Sequence, residues 1–150
     1  MAYDFLLKDL QSNLTQKAIG TDKGLAKIGD GVVNLVYSVA KSMHLTKTTN
    51  SKFIIRTGKK VSKTILAEAL KEANMKSFSR SRADAHDLAD TVEAIIAYVW
   101  LNGDITIKQL IDFLLEHLIG NLNNRTEEIN SARVAFTKLL NHIKQYFPIY

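Results

Sequence analysis

The chain has 150 residues, 46% of them hydrophobic, enough to bury a sizeable core and short enough to read as one domain. It has no cysteine, which excludes disulfides and Cys-ligated zinc and fits a reducing cytoplasm, and no apolar run approaches the ~18 residues of a membrane-spanning helix. A net charge of +5 and a pI near 9.4 lean towards a polyanionic partner, weakly on their own.

Hydrophobic periodicity predicts an all-α fold of about six helices. Residues 3–18 carry Phe5, Leu6, Leu10 and Leu14 at helical spacing and end at Gly20. Thr21 or Asp22 can cap a second helix that runs to about His44. Residues 46–60 are polar and basic (Lys47, Lys52, Arg56, Lys59, Lys60) around the short apolar run Phe53-Ile54-Ile55, and read as a loop with one turn of helix. Ser62 caps a third helix carrying Ile65, Leu66, Ala69 and Leu70. A basic link with Lys76, Arg80 and Arg82 leads into a helix over residues 82–101, which Asn102-Gly103-Asp104 stops. Thr106 with Gln109 makes a capping box for residues 107–119. Gly120 to Asn124 turns the chain, and a last helix covers about 126–147.

Two acidic features stand out against this pattern. In Leu88-Ala89-Asp90-Thr91-Val92-Glu93-Ala94 the carboxylates are three residues apart and so share one side of a helix. Glu93 lies beside or within the apolar stripe, where a bare carboxylate is costly and must be paired, protonated or bound to a cation. The second feature is Ile28-Gly29-Asp30-Gly31-Val32. Two glycines mid-helix cost roughly 1 kcal/mol each relative to alanine, so either another helix approaches closely there or one helix ends and the next begins. Periodicity leaves both open. If the helix continues, the two acidic helices can cross with Asp30, Asp90 and Glu93 converging.

Leu25-Ala26-Lys27-Ile28-Gly29-Asp30, followed after sixty residues by Leu88-Ala89-Asp90-Thr91-Val92-Glu93-Ala94-Ile95-Ile96, resembles the two motifs of the ribonuclease III catalytic domain. The second matches almost letter for letter; the first is weak alone, and the two gain force from their order and spacing. Leu101-Asn102-Gly103 stands where that family has a short exit turn, and Ile65-Leu66-Ala67-Glu68-Ala69-Leu70 is similar to the helix between the motifs. The resemblance covers about residues 22–118, leaving a helix at about 126–147 beyond it but no room for a separate double-stranded-RNA-binding module. It implies the family's helical fold in a single domain over 1–150, with Asp30, Asp90 and Glu93 as catalytic metal ligands. The family's further glutamate, one turn before the first aspartate, is replaced here by Ala26. The short Mini-III branch is similar at that point, although its second motif usually lacks the acid found here at Asp90. Asp22 is a poor substitute for the missing acid, because eight helical residues span about 12 Å.

The implied chemistry is hydrolysis of phosphodiester bonds in double-stranded, structured RNA, with Mg²⁺ as cofactor and Mn²⁺ as a substitute. Phosphoryl oxygens gain negative charge in that reaction, and hard carboxylate oxygens suit Mg²⁺. Lys76, Arg80 and Arg82 precede the acidic helix and are placed for backbone phosphates, since duplex RNA is read mostly by shape, phosphates and 2′-hydroxyls. Gly29 and Gly31 are the candidates for a homodimer interface, as the family pairs subunits around its first motif. A non-catalytic RNA-binding or ribosome-associated relative that keeps fold and dimer is the alternative, and Ala26 leans that way. Asp84 and Asp87 read as a solvated helix edge favoured by the dipole. His44, His86, His117 and His142 lack paired metal-ligand spacing, although His86 lies one turn from Asp90. Gly58-Lys59-Lys60-Val61-Ser62 lacks the first glycine and the preceding strand of a phosphate loop.

Overall fold

A computed structural model describes residues 3–49 and 53–150, and among these there are helices and no β-strand. In chain order the α-helices are α1 (Gln16–Gly20), α2 (Lys23–Thr48), α3 (Lys63–Glu72), α4 (Ala85–Leu101), α5 (Ile107–His117) and α6 (Arg125–Ile143). None is long and apolar enough to cross a membrane. Their starts are set locally, by side chains that accept the first free backbone N–H groups. Asp22 takes Leu25 N at 2.8 Å, Ser62 takes Ile65 N at 3.3 Å and Asn124 takes Glu127 N at 3.0 Å. Thr106 and Gln109 form the expected reciprocal box, and Asp84 with Asp87 forms another, so α4 starts at Ala85.

Several expectations need correction. The opening segment is not one α-helix: Asp4–Asn13 winds as a 3₁₀ helix, Leu14 is extended, and Thr15 starts α1 by accepting from Ala18 N at 3.0 Å. Three residues per turn turn Leu7 inwards, fully buried, and leave Phe5 and Leu6 largely exposed. The second helix passes the expected end at His44 and reaches Thr48, and it runs unbroken through Gly29-Asp30-Gly31. The helix expected over 82–101 starts only at Ala85, the one over 107–119 stops at His117, and the last, expected to about 147, ends at Ile143 before a 3₁₀ turn over Lys144–Tyr146.

α4 is the central element. From Leu88 to Leu101 every residue except Asp90 and Trp100 is buried, with α2 on one side and α3 on another. α5 packs on α2, and α6 covers α3 and α5. A buried polar cluster ties α6 to α2: Glu128 accepts from the Tyr37 hydroxyl at 2.9 Å and pairs with Lys41 at 2.8 Å and Arg125 at 3.0 Å. Burial alone would raise the Glu128 carboxyl, but Lys41 and Tyr37 hold it below the usual range.

The stretch expected as a loop has its own order. Residues 55–61 run extended and antiparallel along α2, held by side chains four residues apart on the helix. Val61 N donates to Asn34 Oδ1 at 2.8 Å, Lys59 N to Ser38 Oγ at 2.8 Å, Thr57 N to Ser42 Oγ at 2.9 Å and Ile55 N to Thr46 Oγ1 at 2.9 Å. Four helical residues rise about 6 Å and two extended residues about 6.6 Å, so the two spacings nearly coincide. Alternate residues accordingly differ in exposure: 55, 57, 59 and 61 turn in, and 54, 56, 58 and 60 turn out. Lys52 lies outside the described residues.

Candidate active site

The crossing of α2 and α4 builds the site. At Gly29 the two backbones are so close that a Cβ would overlap the carbonyl carbon and oxygen of Glu93 and lie 2.8 Å from its Cα. The close approach expected of Gly29 is therefore made within the chain, not between subunits. Gly31, two residues on, has nothing within 4 Å of its Cβ position.

With the helices locked at that point, Asp30, Asp90 and Glu93 line one cleft of about 340 Å³, together with Ala26, Lys23, Lys27 and Lys63. Glu93 is only 3% exposed. Burial, and after it a hydrogen bond shared with Asp30, push the Glu93 carboxyl up to about 7. The same shared hydrogen bond holds Asp30 below its ordinary value, ahead of the Lys60 and Lys63 ammonium groups that act in the same direction. Asp30 also accepts from Asn34 Nδ2 at 3.3 Å, which links it to the first rung of the 55–61 segment.

Each carboxylate faces a lysine. Lys60 Nζ is 3.6 Å from Asp30, Lys23 Nζ is 3.2 Å from Asp90, and Lys63 Nζ bridges Asp90 at 3.2 Å and Glu93 at 3.3 Å. Among the described residues no three carboxylate or imidazole groups close on one point as they would around an ion. The donor set nevertheless fits a hard divalent cation. It offers three carboxylates on one cleft, of which Glu93, pushed up by burial, is the one whose charged form a cation would favour. Ala26 is buried at the wall, so the fourth acid of the family pattern has no replacement there. Asp22 is committed to capping α2.

The remaining expected residues fall around this cleft. His86 Nδ1 stands 3.5 Å from Asp90 Oδ2. Lys76, Arg80 and Arg82 are exposed on the link before α4. Arg80 pairs with Asp87 at 2.6 Å and, with the Asp84 backbone, draws that carboxyl down to about 2. Asp84 and Asp87 are thus capping groups, as a solvated helix edge requires. His44 and His117 bond backbone oxygens of Gly120 and Phe113, both at 2.8 Å, and His142 stacks on Phe113 at 4.9 Å. Lys23 and Lys27 were missed from sequence. Their spacing to Asp30, four and then three residues along one helix face, was the signal that could have found them.

A family model described as Ribonuclease III matches residues 23–147. No curated protein matches the chain.

Proposed function

The chain belongs to the ribonuclease III family, and on that premise we propose that it is a metal-dependent endoribonuclease acting on double-stranded segments of structured RNA. The observation that carries this reading is the grouping of Asp30, Asp90 and Glu93 on one cleft with Lys23, Lys27 and Lys63. The acids supply hard oxygen ligands and the lysines a phosphate-attracting rim. In the reaction water adds to phosphorus, the bond to one ribose oxygen breaks, and that oxygen leaves with a proton. Asp30, Asp90 and Glu93 would hold Mg²⁺, or Mn²⁺ in its place. An ion held there would supply an acidified water and neutralise charge on the phosphate. Lys23 and Lys27, exposed at the rim, would attract the flanking phosphates.

Duplex RNA needs a longer track than this cleft, and two features support one. A homodimer would join two clefts into a continuous basic valley. Supporting it, α2 turns Ile28, Gly31, Leu35 and Met43 outwards on one face, with Leu35 53% exposed. Lys76, Arg80 and Arg82 would extend the valley over phosphates beside α4. Replacing Arg80 and Arg82 together by alanine is expected to weaken duplex RNA binding regardless of sequence. The slope of log K against log salt should flatten by about two. An unchanged slope in a filter-binding titration would put the RNA elsewhere.

A second reading, RNA binding without cleavage, is favoured by the ammonium partner that every carboxylate of the cleft already has. Incubation of the purified protein with labelled duplex RNA separates the two. Cleavage with Mg²⁺ that EDTA abolishes is the expected result; intact RNA that is nonetheless retained on the protein would establish the second reading.

A further inference from the structure

We propose that Lys63 is the phosphate-gripping cation of the cleft, an ammonium that rests on Asp90 and Glu93 in the free protein and transfers to the scissile phosphate when a divalent cation takes those carboxylates. The inference rests on the endoribonuclease reading and deepens it, because it assigns a substrate contact to a residue outside both motifs.

Lys63 differs from the other lysines of the site in three ways. It alone bridges two of the carboxylates, at 3.2 and 3.3 Å, whereas Lys23 and Lys60 each touch one. Its side chain is 35% exposed, against 67% for Lys23 and 71% for Lys60, so it lies in the cleft rather than across its mouth. Its backbone is also fixed: it is the first residue of α3, directly after the Ser62 cap, and two residues after Val61, whose N–H is tied to Asn34. A rigid Cα with a flexible four-carbon tether lets the ammonium swing a short way without moving the fold.

Charge gives the reason for the swing. Three carboxylates already face three ammonium groups, Lys23, Lys60 and Lys63, and lack the fourth acid that would offset the added charge of a divalent cation. Ala26, at the wall of the cleft, is what removes the fourth charge. The ammonium and the divalent cation repel each other if both stay on Asp90 and Glu93, so Lys63 must leave those oxygens. A phosphate brought into the cleft presents non-bridging oxygens within the same reach. Lys63 stays protonated throughout and donates hydrogen bonds; it neither forms nor breaks a covalent bond.

Two variants and two readouts test this. Lys63→Met keeps the length and apolar stem of the side chain and removes the charge; Lys63→Arg keeps the charge with a different shape. Mn²⁺ binding is measured on the protein without RNA, by the paramagnetic resonance of free Mn²⁺. Cleavage is measured under single-turnover conditions at saturating metal. Lys63→Met is expected to bind Mn²⁺ at least as tightly as wild type, because no ammonium competes for the carboxylates. Its cleavage should nevertheless fall by about 100-fold or more, with Lys63→Arg recovering part of the loss. Unchanged cleavage by Lys63→Met would overturn the proposal and leave Lys63 a resting counter-ion. Loss of Mn²⁺ binding would overturn it too, reducing Lys63 to a support for the ligands. Wild type is scored first: if it leaves the RNA intact, the endoribonuclease reading fails, a result separate from any difference between wild type and variants.

Discussion

Glu93→Gln is expected to lower duplex RNA cleavage by at least about 100-fold to 1000-fold, the loss of several kcal/mol of charge stabilisation, while leaving RNA binding in place. The same change should raise the stability of the metal-free protein. Glu93 titrates near 7 in the folded chain, against 4.5 for the free side chain. The folded state therefore keeps a proton that the unfolded chain has released. Stability is greatest below the unfolded value, declines as pH climbs from about 4.5 to about 7, and carries the whole penalty above that. A shift of this size corresponds to about 3 kcal/mol. Glutamine removes the titration and keeps the side chain's size. The gap in melting temperature between variant and wild type should thus be small at pH 5 and reach several degrees at pH 8 in EDTA. Mg²⁺ should close the gap by stabilising wild type alone. A variant less stable than wild type at pH 8 in EDTA would mean that pairing with Lys63 outweighs the burial of charge, and that account of Glu93 would be wrong.

The second large effect is expected at Gly29. Alanine there would set a methyl group against the Glu93 carbonyl, which belongs to the backbone of the central helix and cannot rotate away. Alanine otherwise favours a helix by about 1 kcal/mol. Overlap with a packed backbone should reverse that gain and leave a net loss of at least about 3 kcal/mol. The melting temperature should fall by about 6–12 °C. Gly31→Ala, two residues away in the same helix, meets nothing within 4 Å in the protomer and should be neutral or stabilising by up to about 1 kcal/mol. Calorimetry on the pair measures the contrast. If both variants lose stability, and light scattering shows the Gly31→Ala protein dissociating from a dimer, Gly31 lies in the subunit interface as proposed. If Gly29→Ala melts with wild type, the helices do not cross as described.

The two glycines show where a sequence stops being readable. Both are small residues in one motif, and only the angle at which α4 meets α2 distinguishes the buried one from the open one. The starts of α2, α3 and α5, by contrast, were legible, because each cap bonds a backbone group within three residues. Glu93 was legible for a related reason: an acid set in an unbroken apolar run has little choice but burial. The ion pairs that lysines make with Asp90 and Glu93 were not. Lys63 meets Asp90 and Glu93 across 27 and 30 residues, and Lys23 meets Asp90 across 67. No periodicity records such a distance. The segment over 55–61 escaped for another reason. Its alternation is real but is carried by backbone N–H groups and helix hydroxyls, so Ile55, Thr57 and Lys59 turn inwards without sharing any hydrophobicity that a pattern could report. The opening segment misled because Phe5, Leu6 and Leu10 suit a helix of either pitch.

The segment over 55–61 and α2 behave as the two scales of a vernier. Their graduations differ by about 0.6 Å per mark, so they stay in step for a few marks and then drift apart; four rungs, from Asn34 to Thr46, are what the slack in the hydrogen bonds absorbs. The length of the segment is therefore strictly determined, while the identity of its outward residues other than Lys60 is nearly free. One residue added or removed between rungs would exchange inner for outer marks and carry Lys60 away from Asp30. Its register, more than its composition, meters how much positive charge reaches the first aspartate of the cleft.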